Sequence, residues 1–138
     1  MRILVVDDDP FMREMISMLI QGEALAVVEA NDGLEAVAEF EKEPFQIALV
    51  DMLMPNHDGI ETIMDIRRRW PCTRIVAMSG GSRFIHRNDA LDWARGLGAD
   101  EAIAKPFDPL LLGALIETQL RLASSSATSS AITSQRCS

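Results

Sequence analysis

The sequence has only two cysteines, Cys72 and Cys137, and their spacing builds no framework. That excludes a disulfide-stapled scaffold as a class, and two such thiols point to a reducing compartment. Basic residues are also in short supply: 13 Lys and Arg stand against 21 Asp and Glu, for a net charge of −8 and a pI near 4.7. So acidic a surface suits cations or basic partner patches, and it argues against direct nucleic-acid binding. No apolar run approaches the roughly 20 residues of a membrane span. The opening MRILVVDDDP is no secretory leader, because its apolar run is short and ends in acid. The two histidines, His57 and His86, lie in separate loops, so neither reads as part of a metal or catalytic pair. What is present is an ordinary globular composition, 48% hydrophobic and 25% charged over 138 residues. That fits one cytoplasmic domain with a single core.

Short β-branched runs alternate with longer amphipathic stretches. The strand candidates are Ile3–Val6, Ala26–Glu29, Ile47–Val50, Ile75–Met78 and Ala102–Ala104. Several are continuously apolar, the pattern of strands covered on both faces of a parallel sheet. Asp9-Pro10 reads as a cap and first turn, followed by an apolar face of Met12, Met15, Ile16, Leu19 and Ile20 that ends at Gly22. Asp32 caps a helix from Gly33 to about Glu43, with Val37 and Phe40 inward. Asp58 caps another carrying Ile60, Ile63, Met64 and Ile66, which stops before Pro71. A fourth covers Ala90 to Leu97 and ends at Gly98. Asp108-Pro109 repeats the opening pattern ahead of Leu111, Leu112, Leu115 and Ile116. The order is (βα) five times, which implies an α/β fold with a doubly wound, five-stranded parallel sheet. The domain occupies residues 1–123. The Ser/Thr/Ala-rich segment 124–138 has too few large apolar groups to pack and reads as a disordered tail or the start of a linker.

The run VVDDDP, residues 5 to 10, closes an apolar strand on three adjacent carboxylates. Like charges this close repel and raise one another's pKa unless a cation or solvent offsets them. Ligands in open parallel sheets bind beyond the carboxyl ends of the strands, and every informative strand end here is polar. Asp7, Asp8 and Asp9 follow the first strand, Asp51 the third, Ser79 the fourth and Lys105 the fifth. Acids to hold a hard cation, with a hydroxyl and an amine for phosphate oxygens, form a set suited to phosphoryl chemistry. The eight methionines read as core, Cys72 as structural or incidental, and the Arg67–Trp70 run as a basic helix end.

Four motifs in order, VVDDDP, DMLMPNHDG, MSGG and AKPF, resemble the receiver domains of the CheY-like response-regulator family. The resemblance implies the strand order 2-1-3-4-5 and assigns roles. Asp51 is the acceptor of a phosphoryl group from a histidine kinase or histidine phosphotransfer protein. Asp7 and Asp8, with Asp51 and the backbone carbonyl of Leu53, hold Mg2+, for which Mn2+ can substitute. Ser79 and Lys105 contact the phosphoryl group, and Asp9 is left as a helix cap. Pro106 would follow a cis peptide bond. The resemblance also implies a signalling protein rather than a turnover enzyme, limited to self-phosphotransfer and autodephosphorylation. Its output face would be the fourth helix, fifth strand and last helix, with a homodimer among the arrangements open to it.

The sequence departs from that family in three places. The chain has no tyrosine, and Ala102 holds the position of the aromatic residue whose rotation reports phosphorylation in many receivers, which puts that read-out in question. The loop GGSRFIHRND is longer than in a minimal receiver and offers Phe84 and Ile85 to a partner or to the fourth helix. Leu53 and Gly81, two residues after Asp51 and Ser79, cannot hydrogen-bond an attacking water through a side chain, so slow hydrolysis of an aspartyl phosphate is expected. Two rival readings stand beside this one. One is a small haloacid-dehalogenase-type phosphatase using Asp7 and Asp9; the other is a pseudo-receiver that binds partners without phosphorylation.

Overall fold

The computed structural model describes residues 1–20, 25–52, 54, 58–80, 87–105 and 108–133. Five strands and five helices alternate: β1 (Arg2–Val6), α1 (Pro10–Ile20), β2 (Ala26–Ala30), α2 (Gly33–Lys42), β3 (Ile47–Asp51), α3 (Asp58–Arg69), β4 (Arg74–Gly80), α4 (Arg87–Leu97), β5 (Glu101–Lys105) and α5 (Pro109–Thr133). The strands form one all-parallel sheet in the order β2-β1-β3-β4-β5, as expected. At their carboxyl ends β3, β4 and β5 run one or two residues beyond their apolar stretches. Asp51, Ser79 and Lys105 therefore stand on the last rungs of the ladder, with Asp51 opposite Met78, Ser79 opposite Ala104 and Lys105 opposite Gly80.

The pleat sorts the strand residues onto two faces. Leu4, Val6, Ala48, Val50, Ile75 and Ala77 pack with Phe40, Ile63, Ile66 and Ala94 from α2, α3 and α4. Ile3, Val5, Ile47, Leu49, Val76 and Met78 point the other way and pack with Ile16, Ile20, Leu112 and Ile116 from α1 and α5. Burying each of the larger side chains contributes about 1.5–3 kcal/mol. Phe40 adds an edge-on contact with Phe45 and a stack on Trp70.

The helix starts follow their acids. Asp9 accepts from the Phe11 N–H at 3.0 Å and Asp108 from the Leu110 N–H at 2.9 Å. Asp32 accepts from the Glu35 N–H at 2.8 Å, while the Glu35 carboxylate accepts from the Asn31 N–H at 2.7 Å. Asp58, expected as a cap, is instead the first residue of α3. Gly98 closes α4 with φ at +117°, a conformation that other residues adopt only under strain.

Some expected faces are corrected. On α1, Met12, Ile16 and Ile20 turn inward beside a buried Ser17, while Met15, Leu19 and Met18 are exposed. Met64 of α3 and Leu111 of α5 are likewise exposed. A helix resting on a sheet buries a narrower stripe than its full run of apolar residues. Cys72, read as structural or incidental, is disulfide-bonded. The α5 helix continues to Thr133, into the segment read as a tail, and that stretch contains two alanines, Ala127 and Ala131, the strongest helix former. Gly22, His57, His86 and the Phe84–Ile85 pair lie outside the described residues. Among the described residues no helix is long and apolar enough to cross a membrane.

Candidate functional site

Because β1, β3 and β5 all end at the same edge, three strand ends meet there. Asp7 follows β1 directly, its N–H still donating to the Ala30 carbonyl of β2 at 3.2 Å. It is fully buried. A buried carboxylate is costly unless paired and hydrogen-bonded, and Asp7 is both. The Lys105 ammonium donates to its Oδ2 at 2.6 Å and the Asp9 N–H to its Oδ1 at 3.0 Å. Asp51, also buried, accepts from the same ammonium at 3.1 Å. Lys105 thus crosses the mouth of the sheet from β5 to both β1 and β3.

Asp8 is exposed, yet one oxygen from each of Asp7, Asp8 and Asp51 lies within 4.8 Å of the others. Among these four side chains, three carboxylates stand against one ammonium. That donor set, all hard oxygen with one member open to solvent, fits a divalent cation of the magnesium type, which keeps several of its waters. Burial alone would lower the Lys105 pKa. The hydrogen bond and charge of Asp7 and the charge and hydrogen bond of Asp51 together outweigh it, and hold the ammonium above the ordinary lysine value.

Ser79 is half-buried on β4, between the strands that carry Asp51 and Lys105. Ala102 sits opposite Ala77, partly buried against the core, so no ring occupies that position. Leu53, whose carbonyl the resemblance implies as a metal ligand, Gly81, expected to give no side-chain help to hydrolysis, and Pro106, with its implied cis bond, lie outside the described residues.

One residue of this edge escaped the sequence reading. Arg13 donates through Nη1 to the Asp7 carbonyl oxygen at 2.6 Å and to Asn31 Oδ1 at 3.2 Å, and through Nε to Glu29 at 3.3 Å. It ties the acidic loop to α1 and to the end of β2. The available signal was its solitude, since it is the only basic residue in α1.

The comparisons agree with this geometry. A family model for the response regulator receiver domain matches residues 3–117. Among curated proteins, the regulatory protein VanRc of Enterococcus gallinarum is 33% identical over 124 residues, 87% of this chain and 50% of its own length. The CpxR homolog of Haemophilus influenzae, a transcriptional regulatory protein, is 35% identical over 128 residues, 90% of this chain and 52% of its own. The chain spans about half the length of the curated relatives it matches. Among solved structures, a CheY-like receiver domain protein from Methanospirillum hungatei superposes with a TM-score of 0.79 at 26% identity, covering 91% of this chain and 97% of that one. A beryllofluoride-activated DrrB receiver domain gives 0.75 at 25%, covering 87% and 97%. Neither the phosphatase nor the pseudo-receiver reading is favoured by these likenesses. With the parallel sheet, the acidic edge and the lysine across it, the matches lead to one assignment: the chain belongs to the response-regulator receiver domain family.

Proposed function

We propose that Asp51 is the phosphoryl acceptor of a two-component signalling pathway. A histidine kinase or histidine phosphotransfer protein presents a phosphohistidine at this edge. An Asp51 oxygen attacks phosphorus, the P–N bond to the donor imidazole breaks, and the imidazole leaves with a proton from solvent. The product is an aspartyl phosphate. The observation that carries the reading is the Lys105 ammonium, held by both Asp7 and Asp51 at converging strand ends. Such a fixed cation is suited to pairing with phosphoryl oxygens as charge develops there.

Asp7, Asp8 and Asp51, together with the Leu53 carbonyl, would hold Mg2+ or, in its place, Mn2+. When bound, such an ion neutralises phosphoryl charge. Ser79 supplies a hydroxyl to the transferred group, and Lys105 keeps it paired after transfer. Arg13 holds the Asp7 backbone, so the acids are oriented before any ligand arrives.

The chain acts as a switch and not as a turnover enzyme. We place it in the cytoplasm, with residues 1–123 as the signalling unit and the segment after them as a linker or tail. Its output face is α4, β5 and α5, where Trp93 and Leu111 are exposed and Arg95 pairs with Glu101 at 3.5 Å. A protein partner or a second copy is the expected occupant, with no direct contact to nucleic acid.

The test is intact-mass analysis after incubation with acetyl phosphate or phosphoramidate, with and without Mg2+. One phosphoryl adduct that requires Mg2+ and is absent from Asp51→Ala supports the reading. Hydrolytic turnover of the donor with no adduct, undiminished in Asp51→Ala, would favour an enzyme instead.

A further inference from the structure

The first turn of α3 lies directly on the end of β3. A Cβ built on Gly59 would stand 1.8 Å from the Asp51 carbonyl oxygen, 2.8 Å from the Asp51 carbonyl carbon and 2.9 Å from the Met52 carbonyl carbon. All three obstacles are backbone, so no rotamer change relieves them. Nor can the strand retreat, because Asp51 is in register with Met78 and the Met52 N–H donates to the Met78 carbonyl at 2.9 Å. The Asp51–Met52 peptide is clamped between β4 and α3.

Glycine costs a helix about 0.5–1 kcal/mol relative to alanine, so its place in this first turn has a local reason. Two other helical glycines make the contrast. At Gly96 and Gly113 an added Cβ meets nothing within 4 Å.

We infer that Gly59 is a positioning residue for the phosphoryl site. By letting the α3 backbone touch the Asp51–Met52 peptide, it fixes the direction in which the Asp51 carboxylate leaves the strand toward Asp7, Asp8 and Lys105. The inference rests on Asp51 being the acceptor. Any side chain at position 59 must push helix and peptide apart by about 1 Å or more, and a misplacement of that size costs on the order of a hundredfold in a reaction that depends on alignment.

The test uses the full chain and four variants: Gly59→Ala, the glycine controls Gly96→Ala and Gly113→Ala, and Ile66→Ala as a destabilised comparator on the same helix. Two readouts are taken, the reaction rate being measured below each variant's melting temperature. One is the Mg2+-dependent rise in melting temperature, which reports cation binding without any reaction. The other is the rate of phosphoryl uptake from acetyl phosphate. The wild type, both controls and Ile66→Ala are expected to keep the Mg2+ response and the rate. Gly59→Ala is expected to keep a native circular dichroism spectrum, lose the Mg2+ response and slow at least tenfold.

A Gly59→Ala chain within twofold of wild type on both readouts overturns the inference. So does one that fails to fold while Ile66→Ala folds, since the contact would then serve the fold and not the site. A wild-type chain with neither Mg2+ response nor adduct fails at the Asp51 reading itself and takes the inference with it.

Discussion

Lys105 sits closer to Asp7 than to Asp51, at 2.6 Å against 3.1 Å. The ammonium is therefore first of all the counterion of the fully buried carboxylate, and only then a partner of the proposed acceptor. A divalent cation entering among Asp7, Asp8 and Asp51 competes with it for the same negative charge.

The first prediction follows from that competition. Lys105→Met removes the competing positive charge, so Mg2+ should bind more tightly, on the order of tenfold for a change of 1.4 kcal/mol. Calorimetric titration of both proteins checks it, and weaker binding in the variant would refute the competition.

Stability should also carry a signature at alkaline pH. The Lys105 pKa is raised above 10.5: burial pulls it down, but the hydrogen bonds and charges of Asp7 and Asp51 push it up by more. A group with a raised pKa in the folded state stabilises fully below its unfolded value, and that contribution is lost as pH rises through the folded value. Thermal melts above pH 10.5 should therefore fall more steeply for wild type than for Lys105→Met.

Arg13→Ala should destabilise the chain by about 1.5–3 kcal/mol, the range for hydrogen bonds made by a charged group. Urea titration measures this. Mg2+ affinity should fall with it, because the Asp7 backbone loses its tie to Asn31 and Glu29. Arg13→Lys should recover little, since an ammonium cannot span three acceptors as the guanidinium fork does.

Gly98→Ala tests a position remote from the acids. Its φ of +117° and an added Cβ 2.9 Å from Arg67 Cγ both disfavour a side chain. The left-handed backbone costs about 1–2 kcal/mol. Displacing Arg67 adds to that, because Arg67 donates to the Gly98 carbonyl at 2.7 Å and to Asp100 at 2.6 Å. Melting temperature should drop while phosphoryl uptake below it stays unchanged.

The strands and the edge that gathers Asp7, Asp51, Ser79 and Lys105 were legible because they depend on period, polarity and parallel topology, while the strand order was implied by the resemblance that four motifs carry. Less legible were features set by which atoms touch. Met15 and Leu19 look like core in a helical pattern, yet α1 rests on the sheet through Met12, Ile16 and Ile20. Arg13 is an unremarkable surface arginine until the chain folds Asp7 beneath it. Gly59 is only the last residue of the DMLMPNHDG motif in the sequence, and only the backbone of β3 reveals why a methyl group is excluded there. The Arg67–Trp70 run was read as a charge at a helix end. Folded, Arg67 and Arg74 converge on Asp100 while Arg68 pairs with Asp65.

The central claim is that Asp51 takes the phosphoryl group. Borohydride reduction of the phosphorylated chain, followed by peptide mass analysis, reads this directly, because an aspartyl phosphate is reduced to homoserine. The account predicts homoserine at position 51 and nowhere else. Homoserine at Asp7 or Asp8, or an unreduced Asp51 in a chain that carries the adduct, would contradict it.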